Sequence, residues 1–138
     1  MDGGLSQSFQ KHLPEIHWQR IETLIGRGTP DLNGCLWGRD FWIENKATDG
    51  WAVNFEMGQT AWHERRVRAG GRVFLAVRRK AIAGPRRGDA VDELYLFRGQ
   101  ETRFVEAEGL KSKCPVIGIW PGGPAKWGWD AIRKVLAG

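Results

Sequence analysis

Phe41-Trp42-Ile43-Glu44-Asn45-Lys46 is an apolar run broken by an acid and, two residues on, a lysine. Read as a strand over 41–47, it alternates its side chains between faces, so Trp42, Glu44 and Lys46 share one side. An acid and an ammonium beside an indole do not describe a solvated face; they predict a cleft. The run also constrains the chain before it. Asp31 follows a Gly28-Thr29-Pro30 turn and opens a second strand over 31–37, and Trp37-Gly38-Arg39-Asp40 can turn that strand back. The hairpin brings Asp31, Glu44 and Lys46 together on one sheet face. Two carboxylates and one ammonium suit a hard divalent cation, which takes oxygen ligands. The lysine is then placed to orient or deprotonate an attacking water, or to stabilise charge on a phosphate.

The flanking sequence supplies the rest of a sheet. Leu5, Phe9 and Leu13 recur every four residues and predict a short helix ended by Pro14. The spacing predicts a strand over 17–24 and a turn at 26–30. Asn54 is a candidate N-cap for a helix over 55–69, stopped by Gly70-Gly71. In that helix Phe55, Gln59 and Trp62 face one way, so Gln59 points inward, where a buried amide needs a hydrogen-bond partner. Val73 to Val77 is continuously apolar, as in a central strand covered on both faces. A loop over 81–90, a hairpin from 93–98 and 102–105 turning at Gly99-Gln100, a strand over 115–120 and a closing helix over 129–136 complete the reading. The order α-β-β-β-α-β with later additions predicts an α/β fold with a mixed sheet flanked by helices. One domain over 1–138 is expected, with its core at about 5–80 and additions over 81–138.

The net charge of +5 favours a polyanionic partner. Cations form two groups. Arg65, Arg66 and Arg68 end the second helix, where they also suit its dipole. Arg78, Arg79, Lys80, Arg86 and Arg87 crowd the 81–90 loop, and such crowding repels unless an anion or nearby acids compensate it; phosphate is the expected anion. Most of the eight tryptophans are expected in the core or packed on the sheet. Cys35 and Cys114 fit no zinc spacing and predict partly buried reduced thiols. The three histidines are not spaced as ligands of one ion, so surface or cap roles are expected of them. Gly26-x-Gly28 is too short for a phosphate cradle, and no Gly-x-Ser-x-Gly is present, which argues against a serine hydrolase. No apolar run is long enough to span a bilayer and the amino terminus does not resemble a signal peptide, so a cytoplasmic protein with no membrane contact is expected.

Arg20-Ile21-Glu22, Gly28-Thr29-Pro30-Asp31, Trp42-Ile43-Glu44-x-Lys46, Gln59-x-x-Trp62 and Ala69-Gly70-Gly71 occur in this order between Ser6 and Lys80. In motif and order the stretch resembles the PD-(D/E)XK nuclease superfamily, and within it small phage VRR-NUC-type and Holliday-junction-resolvase-like enzymes. The resemblance implies a restriction-endonuclease-like core and a Mg2+-dependent endodeoxyribonuclease that leaves a 5′-phosphate. It also implies branched or junction DNA as substrate, in phage or prophage replication, recombination or repair. Asp31 and Glu44 would hold the ion, with the backbone carbonyl of Asn45 as a further ligand. Lys46 would position the nucleophile, and Gln59 would sit against the lysine or the scissile phosphate. Similar resolvases are C2 dimers, and Trp120, Trp127 and Trp129 are candidates for such an interface.

One departure stands out. Related enzymes often carry a glutamate in the first helix, at the position of Ser6, and here that helix holds no acid. Glu22 is the best substitute as third metal acid, and Glu15 a weaker one. A non-catalytic DNA-binding or assembly module on the same fold is therefore a rival reading. A restriction-type endonuclease and a two-metal exonuclease are others.

Overall fold

The computed structural model describes residues 2–22, 28–82 and 90–138. Helix α1 (Leu5–His12) opens the chain, followed by strands β1 (His17–Arg20), β2 (Leu32–Leu36) and β3 (Arg39–Thr48). Helix α2 (Gln59–Arg68) leads into β4 (Val73–Ile82) and β5 (Ala90–Arg98). Helix α3 (Thr102–Glu108), strand β6 (Gly118–Trp120) and helix α4 (Trp129–Ala137) complete the order. The result is an α/β fold on a six-stranded mixed sheet in the order β1-β2-β3-β4-β5-β6. Among the described strands only the β3–β4 pair is parallel, because α2 carries the chain back across the sheet between them. Among the described residues no helix is long and apolar enough to cross a membrane.

Strand alternation sorts the sheet into two faces. Phe41, Ile43, Phe74, Ala76, Leu94 and Leu96 pack beneath α1 and α4, which contribute Leu5, Phe9, Ile132 and Leu136. Leu75, Val77, Tyr95 and Phe97 face the other way, against Val53, Val105 and Leu110. Glu44 pairs in register with Leu75 and Lys46 with Val77, so both belong to this second face. The β2–β3 hairpin closes through Trp37 (φ 54°) and Gly38 (φ 75°), both left-handed. Such a two-residue turn matches the twist of the strands it joins.

Several expected boundaries move. Helix α2 starts at Gln59, not Phe55, and its N-cap is Gly58 rather than Asn54. Gly58 has φ 90°, a left-handed conformation that breaks any helix entering from Phe55. The first strand ends at Arg20, and the expected turn residues Gly26 and Arg27 lie outside the described residues. Strands β4 and β5 extend through residues 82 and 90 on either side of the expected loop, whose residues 83–89 lie outside the described set.

Thr102 to Val105, expected as a strand, is helical. A 3-10 turn at Gly99–Glu101 carries the chain off β5 instead of reversing it, and Thr102, Val105 and Gly109 are then buried at helical spacing. A short apolar segment carries too few periods to tell the two conformations apart. The last strand covers only Gly118–Trp120, although Ile117 still donates its N–H to Leu96 O at 2.8 Å.

The carboxyl-terminal tryptophans close the core. Trp127 is buried, while Trp120 and Trp129 pack half-buried against the first core cluster. Trp129 meets Phe9 edge-on and lies flat on His12 at 4.6 Å. All three therefore pack within one chain, and Trp120 and Trp129 keep part of their surface exposed. Of the other tryptophans, Trp18 also packs on that cluster, whereas Trp37 and Trp51 are exposed. Cys35 and Cys114 are free and half-buried.

Candidate active site

Strand β2 begins at Leu32, one residue after Asp31, and this places Asp31 beside β3. The N–H of Asn45 donates to Asp31 Oδ2 at 2.9 Å, in the position a neighbouring strand would otherwise fill. On a strand, N–H and C=O of one residue leave on the same side. Trp42 N–H points to β4, where it meets Arg72 O, so Asn45, three residues on, turns its carbonyl toward Asp31. The side chain of Asn45 goes to the opposite face, where its Nδ2 donates to Ser6 Oγ at 3.1 Å.

Glu44 stands between Asp31 and α2. It is 1% exposed, and its Oε1 has no hydrogen-bond partner. Burial first, then the adjacent Asp31 carboxylate, pushes its acid up to about 9. Two carboxylates pressed together repel, which keeps one protonated, and an added positive charge would relieve that repulsion. Lys46 Nζ donates to Gln59 Oε1 at 2.7 Å and lies 5.0 Å over the ring of Phe55. Gln59 Oε1 also accepts the N–H of Glu56 at 2.8 Å, which fixes the amide at the first turn of α2. The inward orientation expected of Gln59 holds, though it comes from this first-turn position and not from a shared face with Phe55.

Two close approaches hold the parts in register. Gly28 (φ 87°) lies against the backbone of Gly58, so closely that any side chain there would overlap Gly58 O. The turn before Asp31 is thus docked on the start of α2. Trp42 and Trp62 meet at 5.3 Å further along α2, and the guanidinium of Arg66 covers both rings at 5.2 and 4.7 Å. The buried residues of α2 are polar: Gln59, Thr60 and His63. Burying such groups costs free energy unless each is satisfied, so this helix serves the site more than it serves the core.

The cleft so formed has a volume of about 400 Å³ and includes Asp31, Glu44, Lys46, Glu56 and Gln59 in its lining. Asp2, Ser6 and Arg20 close its other side. A larger cavity of about 740 Å³ lies at the far ends of β4 and β5. Of its acids, Asp92 and Glu93 are already neutralised by Arg78 and Arg79, and Asp49 is exposed.

Among the described residues no three His, Cys, Asp or Glu side chains converge as ligands of one ion. The fit is nonetheless sound for Mg2+, which commonly uses one or two carboxylates and takes its other ligands from water and phosphate. Asp31, Glu44 and the Asn45 carbonyl make such a set, and the unpartnered buried Oε1 of Glu44 marks it as incomplete.

Glu22 is exposed and does not line the cleft, and Glu15 pairs with Arg133 at 3.2 Å instead. Besides Asp31 and Glu44, the described acids that line the cleft are Asp2 and Glu56. Asp2 does so by capping α1: its carboxylate accepts from the N–H of Gly4 and from both the N–H and the hydroxyl of Ser6. An acid four residues ahead of Ser6 was visible in the sequence, but only as a terminal residue. Nor did the sequence point to His63, which was expected at the surface or as a cap and is fully buried beside Glu44.

The cations divide differently from expectation. Arg78 makes two bonds to Asp92, at 2.8 and 2.6 Å, and a third to Gly3 O. Arg79 pairs with Glu93 at 3.0 Å and lies 3.9 Å over the ring of Trp51. Both are structural pairs between β4 and β5 rather than open phosphate ligands, because the acids of β5 supply the compensation that crowding requires. Arg65, Arg66 and Lys80 remain exposed, and Arg86 and Arg87 lie outside the described residues. No protein-family model matches the chain, and no curated protein does.

Proposed function

We propose that this chain is a divalent-cation-dependent endodeoxyribonuclease with a PD-(D/E)XK-type site on a restriction-endonuclease-like core. The observation that carries the reading is the juxtaposition of buried Glu44, Asp31 and the Lys46–Gln59 pair in one cleft. The α-β-β-β-α-β order from α1 to β4 and the net charge of +5 also support it.

Asp31, Glu44 and the Asn45 carbonyl would hold Mg2+ or Mn2+. Such an ion neutralises charge on a phosphodiester and lowers the pKa of water enough to make it a nucleophile at neutral pH. Lys46 supplies the fixed donor: Gln59 holds its ammonium over the cleft, where it can orient the attacking water and offset charge gathering on the phosphate. The water oxygen bonds to phosphorus, its proton passes to solvent, the P–O3′ bond breaks, and the 3′-oxygen is protonated. A 5′-phosphate remains. Branched or junction DNA is the substrate that the resemblance favours.

Incubation with linear duplex, single-stranded, flap and four-way junction DNA tests this, with Mg2+, Mn2+ or chelator present. Metal-dependent cuts lost in Glu44→Ala are expected. DNA that is bound but never cut under any of these metal conditions would leave the chain a binding module.

A further inference from the structure

His63 lies on α2 with its ring fully buried, and it faces two groups. Nδ1 is 2.7 Å from the hydroxyl of Thr102, the first residue of α3, which is also fully buried. On the other side Nε2 points at Glu44 Oε1 from 4.0 Å, too far for a hydrogen bond. Neither Nε2 nor Oε1 has any other partner, although both are buried. An orphaned buried polar atom destabilises the state that leaves it unpaired. Two that face each other identify a bond left open in this arrangement, and a shift of about 1 Å would close it.

We propose that His63 is a positioning residue: its Nε2–H holds Glu44 Oε1 and so turns the other carboxylate oxygen toward the cation. The inference rests on the reading of Asp31 and Glu44 as a cation site. In the proposed tautomer the hydroxyl of Thr102 donates to Nδ1, and the ring proton lies on Nε2, the nitrogen that faces the acid. Full burial favours the neutral imidazole, which serves as a donor without adding charge. Carboxylates that ligate metals are themselves hydrogen-bonded in this way, and losing the outer partner typically costs about 10- to 100-fold in metal affinity or activity. The bond also explains why α2 buries a histidine where an apolar residue would pack.

Mn2+ binding measured by calorimetry and by electron paramagnetic resonance tests the proposal without reference to cleavage. His63→Leu removes both ring nitrogens and is expected to weaken Mn2+ binding by about 10- to 100-fold. His63→Gln places an amide nitrogen near the position of Nε2 and is expected to stay within a few-fold of the parent chain. His63→Asn places its amide near Nδ1 and is expected to behave like His63→Leu. Should His63→Leu fail to fold, the contrast between glutamine and asparagine still decides. Equal Mn2+ affinity in all variants, or equal loss in His63→Gln and His63→Asn, overturns the proposal while leaving the metal site standing. Glu44-dependent Mn2+ binding that follows the expected order in a chain that never cuts DNA would remove the nuclease reading alone. A parent chain that binds no Mn2+ would overturn both.

Discussion

At the scale of single residues, Glu44 carries the most information, since its environment opposes its own ionisation. Its acid is raised to about 9 in the folded chain, so between pH 4.5 and 9 the folded state holds a proton that the unfolded state has released. Stability from this group is therefore fully present below pH 4.5 and is lost as pH rises. His63, lowered to about 4, works oppositely: its contribution is present above pH 6.5 and is lost as pH falls toward 4. The two offset each other up to about pH 6.5, and above it Glu44 acts alone. The metal-free chain is expected to lose stability from pH 6.5 to 9, by on the order of 1 kcal/mol per pH unit. Urea titrations across that range should show the slope in the parent chain and little of it in Glu44→Gln. Saturating Mg2+ should also flatten it, because the ion replaces the proton. Lys46 gives a separate expectation. Lys46→Ala should slow single-turnover cleavage by about 100-fold or more while Mn2+ affinity stays within a few-fold, since the ammonium bonds to Gln59 and not to the carboxylates. Lost Mn2+ binding with unchanged chemistry would reverse the assignment.

At the scale of elements, the site depends on two segments meeting, the turn before Asp31 and the first turn of α2. Gly28 is the contact point. Gly28→Ala meets the Gly58 backbone and must also hold a left-handed φ of 87°. A cost of about 1–3 kcal/mol is expected from the strained backbone, with more from the overlap. Cleavage should fall with it, because Asp31 follows three residues later. Gly38→Ala is the matched control: φ is 75° there, but nothing lies within 4 Å of the added carbon. It should lose only the backbone term and cut DNA normally. Thermal melts beside cleavage rates separate the two, and equal activity loss in both variants would show that Gly28 does not position Asp31.

At the scale of the whole molecule, pairing rather than sequence density decides which cations stay open. Arg78 and Arg79 sit in the densest cationic stretch and are spent on Asp92 and Glu93, whereas Arg65 and Arg66 line the exposed side of α2. Arg78→Ala should therefore lower the melting temperature, since it leaves Asp92 without its partner. It should leave the salt dependence of DNA binding unchanged. Replacing Arg65 and Arg66 together by glutamine should weaken binding to all DNA forms and reduce the slope of log affinity against log salt by about one to two units. Binding isotherms at several salt concentrations read both outcomes, and a slope lost in Arg78→Ala instead would place DNA on the other side of the sheet. The tryptophans follow the same logic. Trp127 spans from the core to Asp92 O at 3.3 Å, and its burial marks it as closing one chain.

The sequence by itself determined the periodic parts of this protein. Alternation in the run from Phe41 to Lys46 put Glu44 and Lys46 on one face, the four-residue spacing of Leu5 and Phe9 gave α1, and the Gly/Pro turn placed Asp31 near the hairpin. Those signals are local, and local geometry enforces them. Tertiary structure alone decided which groups meet. His63 and Thr102 are 39 residues apart in the chain, and periodicity reports the face a residue occupies but not the partner waiting there. For the same reason the sequence did not show that Asp2 would reach the cleft, that Asp92 and Glu93 would neutralise two arginines, or that Thr102 to Val105 would coil rather than pair. Each of these outcomes turns on long-range burial and charge compensation, which become defined only when the sheet has closed.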